Sequence, residues 1–283
     1  MYQATSVTEL RQYVQHWKDH AQSIAFIPTM GNLHAGHISL IEKGQSLSDR
    51  TICSIFVNPM QFGPNEDWDH YPRTLDKDIA LLEANGCDLV YLPSASELYP
   101  EGLERISHVQ VTDLTDHYEG AHRPGHFTGV ATVVLKLFNI VKPDVSVFGK
   151  KDYQQYRVIS KMVEDFNLDV QIIGQETTRE ASGLATSSRN QYLDDAQKEQ
   201  AALIYQVLQR TAQHIDKGER DFEMLQARAT GELQEAGFKT DYFCICNAEN
   251  LLPATTEDRD LVILVTAAIE QTRLLDNIEI SLW

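Results

Sequence analysis

Two histidines three positions apart mark the first place where this chain can do chemistry. They close the segment Ile27-Pro28-Thr29-Met30-Gly31-Asn32-Leu33-His34-Ala35-Gly36-His37, an apolar run that turns through a glycine into a helical pattern. Residues at that spacing share one helical face. A helix start also presents backbone N–H groups and a partial positive charge, which suit a phosphate. Gly36 lets the backbone approach a flat base or ribose closely, where a side chain would block it. Imidazoles at this spot can donate hydrogen bonds to charge developing on a bridging phosphate oxygen. A pair of capping or structural histidines is the competing reading.

Further clusters stand where strands and loops are expected to end. Phe148-Gly149-Lys150-Lys151-Asp152-Tyr153-Gln154-Gln155 sets two lysines and a carboxylate beside a glycine. That combination suits a nucleotide polyphosphate with its magnesium, although an isolated K-K-D is usually a solvated charged turn. Gly183-Leu184-Ala185-Thr186-Ser187-Ser188-Arg189-Asn190 offers hydroxyls and a guanidinium on a loop that can close over phosphates or cap a helix. Phe56-Val57-Asn58-Pro59-Met60-Gln61-Phe62-Gly63 carries two amides able to orient the hydroxyl and carboxylate groups of a small polar substrate. A strand-ending turn explains Asn58-Pro59 as well, but not Gln61. The stretch 118–127 holds Glu119, His122 and His126, yet Arg123 repels a cation there and the spacing fits no closed zinc pattern. It reads as a substrate-facing loop.

These clusters need elements to hold them. Short apolar runs at 23–27, 51–57, 88–92, 145–148 and 170–173 alternate with helical patterns beginning near Gly36 or His37 and at 74–85, 128–141 and 153–166. The alternation predicts an α/β fold with a mostly parallel sheet covered on both faces, and ligands at the carboxyl ends of its strands. After about Tyr192 the texture changes to helices at 196–215 and 221–236, then strands at 238–247, 261–270 and 272–278. The expected division is therefore an α/β domain over 1–188 and a small α+β domain over 189–283.

The 283 residues carry 24 lysines and arginines against 41 aspartates and glutamates, a formal charge of −17. That balance argues against nucleic acid or an anionic membrane surface as partner, while leaving small anionic substrates open. A hydrophobic fraction of 42% is incompatible with wholesale disorder. No run reaches the ~20 apolar residues of a membrane span. Cys53, Cys87, Cys244 and Cys246 show no metal spacing and the N-terminus lacks a signal pattern, so a reduced, cytoplasmic protein is expected.

Taken together, the motifs resemble the pantoate–β-alanine ligase family along nearly the whole chain. They are P-T-M-G-x-L-H-x-G-H at 28–37, F-V-N-P-x-Q-F at 56–62, Y-P-R-T at 71–74, E-G-x-x-R-P-G-H-F at 119–127, K-L-F-N at 136–139, F-G-x-K-D-x-Q-Q at 148–155 and G-L-A-x-S-S-R-N at 183–190. The resemblance implies a Rossmann-like nucleotidyltransferase domain, a C-terminal domain acting as a lid, and a homodimer. It also implies the reaction: ATP and (R)-pantoate, with Mg²⁺, form a bound pantoyl adenylate and pyrophosphate, and β-alanine then displaces AMP.

By the same resemblance, ATP falls to Met30, Gly31, Asn32, Leu33, His34, Ala35, Gly36 and His37, to Gly149, Lys150, Lys151 and Asp152, to Thr178, and to Thr186, Ser187, Ser188 and Arg189. The catalytic group is His37, with His34, Lys151, Ser188 and Arg189; Gln61, Gln155 and Asn58 take the substrates. ATP phosphates and water are expected to supply most magnesium ligands, with Asp78 or Asp152 as protein candidates. Lys150 stands where the family often has glutamate, making the phosphate loop more cationic; Ser182 replaces a common aspartate, and Thr186 a methionine or leucine. Two rivals stay open at this level: an adenylyltransferase acting on a phosphate monoester, and a nucleotide-binding module without catalysis.

Overall fold

Six strands pair in parallel: β1 (Tyr2–Ala4), β2 (Ile24–Thr29), β3 (Arg50–Ile55), β4 (Leu89–Tyr91), β5 (Val145–Gly149) and β6 (Gln171–Gln175), in the spatial order β1-β4-β3-β2-β5-β6. This computed structural model describes residues 1–63, 66 and 68–282; Trp283, the end of the expected second domain, lies outside them. Ile24, Ala25, Phe26 and Ile27 of β2 are all fully buried, as a central parallel strand must be. Successive side chains point to opposite faces. Ile27 joins a core with Ile41 of α2 (Ala35–Gln45, after α1, Val7–Asp19) and Leu82 of α3 (Leu75–Ala84). Two single-turn helices follow, α4 (Ala95–Leu98) and α5 (Glu119–His122), before α6 (His126–Val141). Phe26 meets Phe138 of α6 edge-on, ring centroids 6.4 Å apart. Helices therefore cover both faces.

From β2 the chain steps one way through β3 and β4, and from β5 the other way to β6. The order reverses between β2 and β5, and such a switch point opens a crevice at the strands' carboxyl ends. Met30 to His37 follow β2 there, and Gly149 closes β5.

Contacts divide the chain into Met1–Lys150 with Gln155–Glu176, and Lys151–Gln154 with everything from Thr177 onward. The division thus falls earlier than the boundary expected from sequence texture. The reason is a hairpin-like segment, in which Arg179 bridges Ala185 and pairs with Asp276 of the C-terminal sheet. The second unit stacks α8 (Asp195–Ala201), α9 (Leu203–Asp216) and α10 (Phe222–Glu235) on an antiparallel sheet of β7 (Lys239–Asn247), β8 (Asp260–Ile269) and β9 (Thr272–Ser281). Leu208, Leu225, Leu233 and Ile263 form its core. The single helix expected at 196–215 is broken at Ala202, where α8 ends and α9 begins. Helix α7 (Tyr153–Asp165) follows β5.

Candidate active site

The turn after β2 is held from below. Gly31 (φ +83°) and Asn32 (φ +50°) both occupy the left-handed region. The N–H groups of Asn32 and Leu33 donate to the two oxygens of Asp78 at 2.9 and 2.8 Å. The Thr74 hydroxyl donates to the same carboxylate at 3.1 Å. His34 is then the N-cap of α2: its Nδ1 accepts from the Gly36 N–H at 3.2 Å, while the His34 N–H donates to His37 Nδ1 at 3.3 Å. This is a reciprocal cap with imidazoles in place of the usual hydroxyl and carboxylate. The rings lie 4.1 Å apart. A nitrogen that accepts a backbone N–H carries a lone pair, so in each neutral ring the proton sits on Nε2.

This corrects one expectation. Most amides at the helix start are engaged rather than held out to a phosphate: the N–H groups of Asn32, Leu33, His34, Gly36 and His37 have acceptors within the chain.

Asn58 caps a 3-10 turn at Pro59–Gln61. Its Oδ1 accepts from the Tyr99 hydroxyl at 2.7 Å, and its Nδ2 donates to Gly129 O and to Gln61 Oε1, both at 3.1 Å. Burial pushes the Tyr99 hydroxyl well above its ordinary range, so it stays a donor. The Gln61 amide is thereby oriented, with Nε2 reaching Met30 Sδ at 3.0 Å. Behind the turn, His126 Nδ1 donates to Gln61 O at 2.8 Å, and Arg123 donates to His126 Nε2 at 3.2 Å and to Glu66 at 2.9 and 2.5 Å. Burial, then the Arg123 charge, lowers the His126 ring to about 4. Burial raises the Glu66 carboxyl, but its bonds and charge contact with Arg123 outweigh that and hold it below the usual range. Among the described residues, no group of three or more His, Cys, Asp or Glu is placed to hold a metal ion.

Past Gly149, Lys150 pairs with Glu176 at 2.8 Å, its stem passing where a Cβ on Gly174 would stand only 2.8 Å from Cε. The extra cation expected in the phosphate loop is thus met by a carboxylate on the neighbouring strand's end. Gln155 lies half-buried in the first turn of α7.

In the second unit, Lys151 Nζ is 3.5 Å from Asp152, and the Lys151 carbonyl accepts from Asn277 Nδ2 at 2.9 Å. Tyr153 donates to Glu279 at 2.9 Å. Arg179 grips Asp276 through two bonds, at 2.6 and 2.8 Å, and lies 3.6 Å above the Tyr205 ring centre. Thr186 N donates to Thr178 O at 2.9 Å, closing the loop, and Ser187 caps the 3-10 turn Ser188–Tyr192. Lys151, Ser187 and Arg189 line one small hollow with Asp276. Sequence reasoning missed Tyr99, the Glu66–Arg123–His126 chain, Arg179 and the strand residues Asp276 and Asn277. Apart from the Arg123–His126 bond, three positions apart, their partners lie 41 to 126 positions away, beyond any local pattern.

A family model for pantoate-beta-alanine ligase matches residues 3–279. A pantothenate synthetase of Shewanella loihica is 49% identical over 278 residues, 98% of each chain. The crystal structure of a pantothenate synthetase from Thermus thermophilus matches with a TM-score of 0.91 and 40% identity, over 98% of this chain and 99% of that one. A pantoate-beta-alanine ligase from Francisella tularensis, complexed with beta-gamma ATP and beta-alanine, matches with a TM-score of 0.82 and 35% identity, over 98% and 97%.

Proposed function

The chain belongs to the pantoate–β-alanine ligase family, and from that premise we propose that it joins (R)-pantoate to β-alanine using ATP. A carboxylate oxygen of pantoate attacks the α-phosphorus, the bond to the β-phosphate breaks, and pyrophosphate leaves. The β-alanine amine then attacks the acyl carbon of the adenylate, a C–N bond forms, and AMP departs as the amine sheds its proton. The supporting observation is the link between two kinds of group in one unit. The Gln61 amide, oriented by Asn58, reaches Met30 Sδ at 3.0 Å, and Met30 opens the turn whose imidazoles are protonated at Nε2.

In this reading, His34 and His37 stabilise charge growing on the α-phosphate, and Lys151, Ser188 and Arg189 receive the departing pyrophosphate. Asn58, Gln61 and Gln155 hold pantoate. Main-chain and side-chain groups of 30–37, Gly149, Lys150, Asp152, Thr178, Thr186 and Ser187 surround the nucleotide. Keeping water from the adenylate matters as much as forming it. Magnesium enters with its nucleotide, as Mg·ATP: the Asp78 carboxylate already accepts three donors, and Asp152 is half-exposed beside Lys151.

A homodimer in the cytoplasm completes the proposal; the four free cysteines and the acidic charge support a reducing compartment without polyanion partners. No helix among the described residues is long and apolar enough to cross a membrane. The test is stoichiometry: purified protein with all three substrates should release one AMP per amide formed. ADP in its place overturns the adenylate route.

A further inference from the structure

Asp78 is a buried carboxylate of the first unit that accepts three hydrogen bonds. It is 2% exposed, and it lies in the first turn of α3. Two consecutive main-chain N–H groups converge on its two oxygens, and a hydroxyl adds a third bond. Its Oδ2 also sits 3.1 Å from where a Cβ on Gly31 would stand, so the turn lies directly on it. We propose that Asp78 is a positioning residue for the β2–α2 turn, holding the two left-handed residues Gly31 and Asn32 so that His34 and His37 enter α2 with their Nδ1 atoms capped and Nε2 protonated. This rests on the reading that the turn serves ATP.

The physical case is one of competition. Asn32 in the left-handed region is strained relative to ordinary backbone, and something must repay that strain. Charge-assisted bonds from adjacent N–H groups to one buried carboxylate are the strong kind, and they act on the strained residue and its neighbour. Three of the carboxylate's roughly four lone-pair positions are filled and the group is 2% exposed, which leaves little of it to meet a hydrated magnesium ion. Asp78 therefore acts through the turn, not through the metal.

Asp78→Asn separates the two roles, since it keeps the volume and one acceptor but turns an N–H₂ toward a backbone donor. The expected result is a KM for ATP raised about tenfold or more, with the KM for pantoate changed less than about twofold and no rescue at high Mg²⁺. Recovery of the wild-type KM for ATP as Mg²⁺ is raised would show a metal ligand and overturn the proposal. Thr74→Val, which removes one donor and no charge, should shift the same parameter in the same direction by less. Should Asp78→Asn not fold, amide hydrogen exchange on the wild-type protein decides. Asn32 and Leu33 should be protected without nucleotide, and Thr74→Val should speed their exchange; fast wild-type exchange overturns the clamp. His37→Ala is the control for the underlying reading. If it too leaves ATP kinetics untouched, the turn does not serve ATP; if it alone impairs them, the Asp78 assignment has failed.

Discussion

The side-chain amide of Asn277 donates to the main-chain carbonyl of Lys151 at 2.9 Å, across 126 positions of sequence. The last strand therefore fixes a lysine that the chain delivers at the end of β5. Its neighbours repeat the pattern, with Asp276 holding Arg179 and Glu279 holding the Tyr153 hydroxyl. Three residues of β9 thus position the segment that carries the phosphate-binding cations in the proposed reaction.

Removing Asp276 should unfold the second unit early. Arg179 and Asp276 are 16% and 5% exposed, so Asp276→Ala leaves a largely buried guanidinium without its counter-charge, with only the Gly183 and Asn277 carbonyls and the Tyr205 ring as partners. Breaking such a pair from one side costs on the order of 3–5 kcal/mol. Urea denaturation should show that loss, whereas Asn277→Ala should cost about 1 kcal/mol and raise the KM for ATP.

His37→Ala should cut pyrophosphate release at least a hundredfold with the fold retained, because its ring caps a helix from a partly exposed position. Thermal unfolding within a few degrees of wild type, beside the lost rate, is the expected pair of results.

Gln61→Glu tests the polarity of the amide relay. The Asn58 Nδ2 donor to Oε1 survives the change, while the N–H₂ on the other arm is lost. The KM for pantoate should rise tenfold or more, with that for ATP within about twofold. Equal effects on both substrates would mean that Gln61 only shapes the turn.

Gly129→Ala should loosen the same turn from behind. A Cβ there would stand 2.4 Å from the Met60 carbonyl oxygen. Overpacking of this kind costs about 1–3 kcal/mol, and displacement of the 58–61 turn should weaken pantoate use alongside the fall in Tm.

Acid should act on His126 before it acts on most carboxylates. Its ring is lowered from 6.5 to about 4 in the fold, by burial and by Arg123, against the weaker opposite pull of its bond to the Gln61 carbonyl and of Glu66 and Glu119. The unfolded chain then binds the extra proton between those values, so stability is complete above pH 6.5 and falls as pH drops toward 4. The full loss is on the order of 3 kcal/mol. Glu66, held below its ordinary 4.5, contributes its own loss only further into acid. His126→Gln should flatten the Tm profile between pH 6.5 and 4.5; an unchanged profile would contradict the assignment.

Much of this was legible from residues alone, for physical reasons. Mostly apolar runs such as 23–27 and 51–57 read as central parallel strands because both faces are buried, and the motifs after them read as site loops because ligands gather at carboxyl ends. Helix α1 was missed although Ser6 and Glu9 form a capping box, a local signal that was there to read. Strand β1 was missed because three residues carry too little pattern. The engagement of Lys150 by Glu176, of the turn amides by Asp78 and of Arg179 by Asp276 depends on pairings 26 to 97 positions apart, which no window of sequence displays. The expected boundary near 189 moved for that last reason.

The most direct test of the account is pyrophosphate release from the purified protein with Mg·ATP and (R)-pantoate, before and after β-alanine is added. A burst of one pyrophosphate per active chain with pantoate alone, becoming steady turnover on addition of β-alanine, is the predicted result. Pyrophosphate that appears only once β-alanine is present, or no release from protein that still binds ATP, would contradict a bound adenylate.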